Sequence, residues 1–228
     1  MALSPLINAP ITRQDSVIEV IRKGDGTQPH DEVFVSTSLT LAADLDTQEV
    51  KLLLPLSSTT GSKPLMRYVE DAVSESVTFD PVERSVYDQE VADALAALAE
   101  DEREKQAKLA KAIEKAAKGF GQAVLTVKPG QRELRFFYTV ATQPTEVARQ
   151  FELQVLAPLA SFILQPGGSI GVTALLPRGT SLLEAVALQD PTNPGSALPN
   201  MQQSELAGRS CLGWLWQNDP MFRIRYSY

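Results

Sequence analysis

With 228 residues, 43% of them hydrophobic, the chain can bury an ordinary core in one large domain or two small ones. Its formal net charge of −7 and pI near 4.9 argue against nonspecific nucleic-acid binding, which draws its affinity from a basic surface that displaces counterions. The most apolar segment, Val155 to Leu164, is broken by Pro158 and stopped by Gln165-Pro166-Gly167-Gly168, short of the ~20 apolar residues that span a bilayer.

Residues 1–15 read as an extended arm. Leu3, Leu6, Ile7 and Ile11 are spaced by Pro5 and Pro10 with neither a helical nor a strand period, so the arm must dock, on its own domain or on a neighbouring subunit. Ser16 to Arg22 is the first expected strand. After a turn at Lys23-Gly24-Asp25-Gly26, Glu32 to Leu41 alternates, with Val33, Val35, Leu39 and Leu41 on one face. Val50, Leu52 and Leu54 continue the alternation, a loop follows at residues 57–62, and Met66 to Val69 and Ser76 to Phe79 are two further short strands.

Pro81 to Gly119 reads as a long helix. Asp80 and Pro81 suit the N-cap and first helical position, and Lys115, Lys118 and Gly119 suit the last turn and its end. Val91, Leu95 and Leu98, then Leu109, Ile113, Ala116 and Phe120, recur at the spacing of one helical face. The polar run from Glu100 to Gln106 separates them, so the helix either stands with its middle in solvent or bends into a hairpin. Asp101 with Lys105 and Glu104 with Lys108 favour the continuous form, about 55–60 Å long at about 1.5 Å per residue. Lys108, Lys111, Lys115 and Lys118 share a stripe, either a solvated face or a contact for an acidic partner.

Beyond the helix, Leu125 and Val127 alternate, Lys128-Pro129-Gly130-Gln131 turns, and Leu134, Phe136, Tyr138 and Val140 oppose Arg135, Phe137 and Thr139. Phe151, Leu153 and Val155 repeat the pattern. Pro166-Gly167-Gly168 opens a strand through Ile170, Val172 and Ala174 that Pro177-Arg178-Gly179 closes; Leu182 to Leu188 suits a strand or a short helix. Asp190 to Pro199 is a long loop, and Met201 to Ala207 suits one helical turn. Phe222, Ile224, Tyr226 and Tyr228 then alternate against Arg223, Arg225 and Ser227, a terminal strand regular enough to be paired.

The expected fold is therefore mainly β: an antiparallel β-sandwich or jelly-roll-like domain over residues 16–228, with the helix of residues 81–119 inserted between its two halves.

Chemistry is sparse. His30 is the sole histidine, which removes multi-His metal sites and leaves no triad context, and the glycine-rich stretches lie at turns rather than opening helices. Cys211 lies among Leu212, Trp214 and Leu215 and reads as a small apolar residue. No cofactor, metal or catalytic site is expected. Trp214, Trp216, Tyr226 and Tyr228 are the one aromatic concentration, either core filling or a surface for a sugar or protein.

The arm, the helix and the terminal strand together suggest a noncatalytic structural or assembly protein working through protein partners as a homo-oligomer or multi-protein assembly, for example in a virion. A carbohydrate-binding module is the alternative. The single cysteine and a start without a basic region and apolar core fit a cytoplasmic or particle-borne setting.

Overall fold

The computed structural model describes residues 9–23, 30–44, 49–55, 66–70, 73–77, 80–81, 120–156, 162–187, 201–216 and 221–228. Fifteen strands lie among them. The first six are β1 (Ala9–Ile21), β2 (Glu32–Leu41), β3 (Glu49–Pro55), β4 (Met66–Glu70), β5 (Val73–Val77) and β6 (Asp80–Pro81). Then come β7 (Phe120–Thr126), β8 (Glu133–Ala141), β9 (Gln143–Pro144), β10 (Gln150–Leu156) and β11 (Phe162–Leu175). The last four are β12 (Ser181–Ala187), β13 (Gln202–Leu206), β14 (Arg209–Trp216) and β15 (Met221–Ser227).

They form one eight-stranded sheet in the order β13-β14-β11-β1-β2-β8-β4-β5 and two small sheets, β12-β15-β10-β9 and β3-β7-β6. The expected mainly-β class holds, but the all-antiparallel arrangement does not. At the centre of the large sheet β1 runs parallel to β11, so the sheet is mixed.

Alternation makes one face of the large sheet apolar, and that face serves two cores. In the first, Ile18, Val20, Val33, Val35, Ile170, Val172, Leu212 and Trp214 pack with Phe151, Leu153, Ile224 and Tyr226 of the four-stranded sheet. In the second, Ala9, Ile11, Leu39, Leu41, Leu134, Phe136 and Phe162 pack with Leu125 of β7 and with Val127 just beyond it. Between the cores the same face carries the buried polar residues Gln14, Ser16 and Thr37. Gln14 donates to Ser16 Oγ, Ser16 and Thr37 share a hydroxyl hydrogen bond, and Thr37 also donates to the Asp15 carbonyl, so the three side chains of the seam are tied to one another and to the β1 backbone.

The arm expected over residues 1–15 is corrected where it is described. Residues 9–15 belong to β1, and Ile11 is fully buried in the second core. A register shift between Ile11 and Arg13 moves the inward phase from odd residues (Ala9, Ile11) to even ones (Gln14, Ser16, Ile18), which is why no single strand period shows there. On β11 the partner register jumps from Leu164 to Ser169, so Pro166-Gly167-Gly168 lies inside a strand rather than opening one. Gly167 sits at φ +81, and a Cβ on Gly168 would stand 2.7 Å from the Thr12 carbonyl oxygen. The two irregularities face each other.

The expected helix over residues 81–119 lies outside the described residues, except for its first residue. Pro81 is a strand residue paired with Gly121, and Phe120, expected on the helix's apolar face, begins β7 opposite Pro55. Two other expectations resolve to strand: Leu182 lies in β12, and the helical turn expected over Met201 to Ala207 is β13, which turns into β14 through Ala207 (φ 51) and Gly208 (φ 75). The terminal strand is paired on both sides, with β10 and β12. No helix among the described residues is long and apolar enough to cross a membrane.

Gly168→Ala should lower stability by about 1–3 kcal/mol, because its methyl group meets the backbone of Thr12. Gly213→Ala, with no atom within 4 Å of the added carbon, should stay within about 0.5 kcal/mol of the parent. Urea midpoints of the two variants check the contrast.

Candidate functional site

The most polar point of the interior is Asp31, immediately before β2 and only 1% exposed. Its Oδ2 accepts hydrogen bonds from the hydroxyls of Tyr226 and Tyr228, each at 2.6 Å, and its Oδ1 accepts one from the Lys23 backbone N–H at 3.0 Å. The Asp31 N–H donates to Thr142 Oγ1, and the Thr142 N–H donates back to the Asp31 carbonyl. Phe151 stacks on Tyr226, and the Arg22 guanidinium lies 4.5 Å above the Tyr228 ring. Burial, followed by the hydrogen bond to the Asp31 carboxylate, raises both phenol pKa values above the ordinary tyrosine range. Both carboxylate oxygens are taken by protein donors, so this centre ties the large sheet to the four-stranded one and offers no acid or base to solvent.

Other reactive groups are scattered. Among the described residues no group of three or more His, Cys, Asp or Glu side chains could hold a metal ion. His30 is half-buried with Nδ1 enclosed and without a hydrogen-bond partner, and Cys211 is a half-buried free thiol on β14.

The remaining candidate is the face of the large sheet turned away from both cores. Its residues are the opposite phase of the same strands. Across β11, β1, β2 and β8 the register sets Thr173, Val17, Ser36 and Phe137 in one row and Leu175, Glu19, Phe34 and Thr139 in the next. Val17 is 49% exposed, Phe34 41% and Phe137 48%. The two phenylalanines are diagonal neighbours, within reach of one another across the strands. They border a shallow cleft of about 380 Å³, lined also by Glu19, Ser36 and Thr139.

Charges lie around this apolar centre. Arg13 pairs with Asp15, and Arg135 with Glu133, toward one end of the strands. Glu19 pairs at 2.6 Å with Arg209, which also donates to the carbonyls of Leu176 and Val20 and so fastens β14 across β11 to β1. An apolar centre inside a rim of mixed charge is the usual make-up of a protein-binding patch.

The sequence candidates lie mostly elsewhere. Ile11, Trp214 and Tyr226 are buried in the chain's own cores, where their apolar surface is used internally. Tyr228 is partly buried and held by Asp31 and Arg22, while Trp216 ends β14 with its backbone paired to Ile170. Leu3, Leu6, Ile7, Lys108, Lys111 and Lys115 lie outside the described residues. Phe34 and Phe137 were not among the candidates, although each is an aromatic residue in the polar phase of a clearly alternating strand.

No family model matches the chain, and no curated protein matches its sequence. Similar folds occur among solved structures. A "putative nutrient binding protein" of Legionella pneumophila shares the fold with a TM-score of 0.53 at 12% identity, over 97% of this chain and 68% of that one. An M1 zinc metallopeptidase of Deinococcus radiodurans aligns with a TM-score of only 0.40 at 12% identity, over 95% of this chain and 41% of that one. The chain thus spans about two fifths of the length of the metallopeptidase it matches. At such identities the Legionella likeness is one of fold.

Tyr226→Phe removes one donor from a buried carboxylate and should cost about 1.5–3 kcal/mol in denaturant unfolding, with Tyr228→Phe costing less because that ring is partly exposed. A phenol whose folded pKa is raised contributes stability fully present below the unfolded value, near pH 10, and lost above it as the unfolded state releases protons. Stability should therefore decline as pH rises beyond about 10, and less steeply in Tyr226→Phe, as read from unfolding midpoints between pH 8 and 11.

Proposed function

We propose that this chain is a noncatalytic protein that works by binding further copies of itself through the outer face of its large sheet. The observation that carries the reading is the exposure of Val17, Phe34 and Phe137 together around one cleft, inside a rim whose charges are already paired. Burying two adjacent phenylalanines against an apolar surface is strongly favourable at about 25 cal/mol per Å², and aromatic anchors at the centre of a patch supply most of the energy of many interfaces. A rim carrying both signs lets a second copy approach without like-charge repulsion.

The carbohydrate-binding alternative draws on the C-terminal aromatics, and Trp214 and Tyr226 have their rings in the core. A particle or virion component is one setting for a self-associating protein of this kind.

The full-length chain should scatter light with a mass above 24.8 kDa that rises with concentration. Phe34→Asp combined with Phe137→Asp should weaken that association at least tenfold while leaving the circular dichroism unchanged, because both side chains point away from the cores. A monomer at every concentration, or association indifferent to the double substitution, would sink this reading.

A further inference from the structure

The self-association proposed above leaves open how the copies meet at their sheet edges, and one edge is suited to receive another strand. Most ends of the three sheets carry features that block pairing. β12 has a register irregularity between Leu182 and Glu184, β9 and β6 are two residues long and each contains a proline, and β3 ends at Pro55. β13 has none of these. It is a regular five-residue strand ending the large sheet, it pairs only with β14 among the described residues, and all five of its side chains are exposed.

The backbone of β13 sets which groups face outward. The two-residue turn Ala207-Gly208, with both residues at positive φ, closes on the pair Leu206 and Arg209, which bond to each other across the hairpin. Alternation then directs the N–H and C=O groups of Leu206, Ser204 and Gln202 toward β14, and those of Glu205 and Gln203 toward the open edge. The edge is held in place from behind by Arg209, whose guanidinium bonds to Glu19 and to the carbonyls of Leu176 and Val20.

We propose that β13 pairs antiparallel with β13 of a second copy, about a twofold axis through Ser204, joining the two large sheets edge to edge. This inference rests on the self-association reading above. In that register Gln203 of one copy opposes Glu205 of the other, twice. These are the residues whose backbone groups face outward, so each pair exchanges two main-chain hydrogen bonds, four in all. Their side chains also match, since the Gln203 amide donates to the opposing Glu205 carboxylate. Ser204 meets Ser204, which is small and uncharged. At the opposite end of the same sheet, the equivalent self-pairing of β5 would set Glu75 at the same register position as Glu75 of the second copy, a like-charge pairing. Pairing through β13 keeps the outer faces of both copies on one side, extending the patch that bears Phe34 and Phe137.

Three substitutions test the register. Gln203→Pro removes an outward N–H and leaves the β13–β14 ladder intact, a position at which an edge strand accepts proline. It should halve the scattering mass at concentrations where the parent is associated, with a thermal midpoint equal to the parent's at dilutions where both are monomeric. Gln203→Glu places two like-charge pairs across the axis and should raise the dissociation constant by roughly tenfold, while Gln203→Lys creates two opposite-charge pairs and should lower it by a similar factor at low salt. These two hold even if the proline variant fails to fold. An associated parent whose mass ignores all three substitutions overturns pairing through β13 and leaves the self-association reading standing. A parent that is monomeric throughout overturns both.

Discussion

One sheet in this protein has to serve two cores, and the rest of the architecture depends on how β1 and β11 manage it. Both strands run the length of the large sheet, contributing Ile11 and Phe162 to one core and Ile18 and Val172 to the other. A strand of strict period two would keep the inward phase of Ala9 and Ile11 and turn Ile18 and Val20 to solvent. The extra residue near Thr12 resets that phase, and the displaced carbonyl is accommodated because Gly168 on the parallel neighbour has no side chain. The polar seam of Gln14, Ser16 and Thr37 falls just beyond this point, between the two cores, and its hydroxyl and amide groups bond to one another.

The buried carboxylate of Asp31 is the second constraint. It stands at the end of the large sheet and gathers donors from three places: the backbone after β1 and the two tyrosines at the end of the chain. Such a group is costly to bury unless every acceptor position is used, and here both oxygens are occupied. The same bonds that secure the four-stranded sheet also hold the C-terminal aromatics inward. That is why Tyr226, which looks in sequence like part of a binding platform, lies in the core.

With the inner face of the large sheet used by two cores, Val17, Phe34 and Phe137 of its outer face remain exposed among the described residues. Exposed aromatics there have an energetic reason to find a covering surface, whereas the paired charges around them cost little to leave in water. Edge and face are complementary routes to association. A strand edge supplies directional hydrogen bonds and register, and an apolar face supplies area.

Much of this was legible in the chain. Glu32 to Leu41 is β2 to the residue, and the alternations at Leu134 to Val140, Phe151 to Val155 and Phe222 to Tyr228 became β8, β10 and β15, because a strand buried on one face writes period two into its sequence. Phe34 and Phe137 were visible as aromatics out of phase with their neighbours, a signal that carries meaning only once it is known that nothing described covers that face. Local sequence could not reveal the parallel pairing of β1 with β11, since those partners lie some 150 residues apart and pairing direction leaves no mark on alternation. Nor could it show that Pro81 and Gly121 are neighbours, that one sheet faces two cores, or that Asp31 receives two tyrosines. Those are contacts between distant segments. Alternation marks which side chains of a regular strand share a face, and packing between distant segments sets what each face meets, because neither pairing direction nor burial is a local property of the chain.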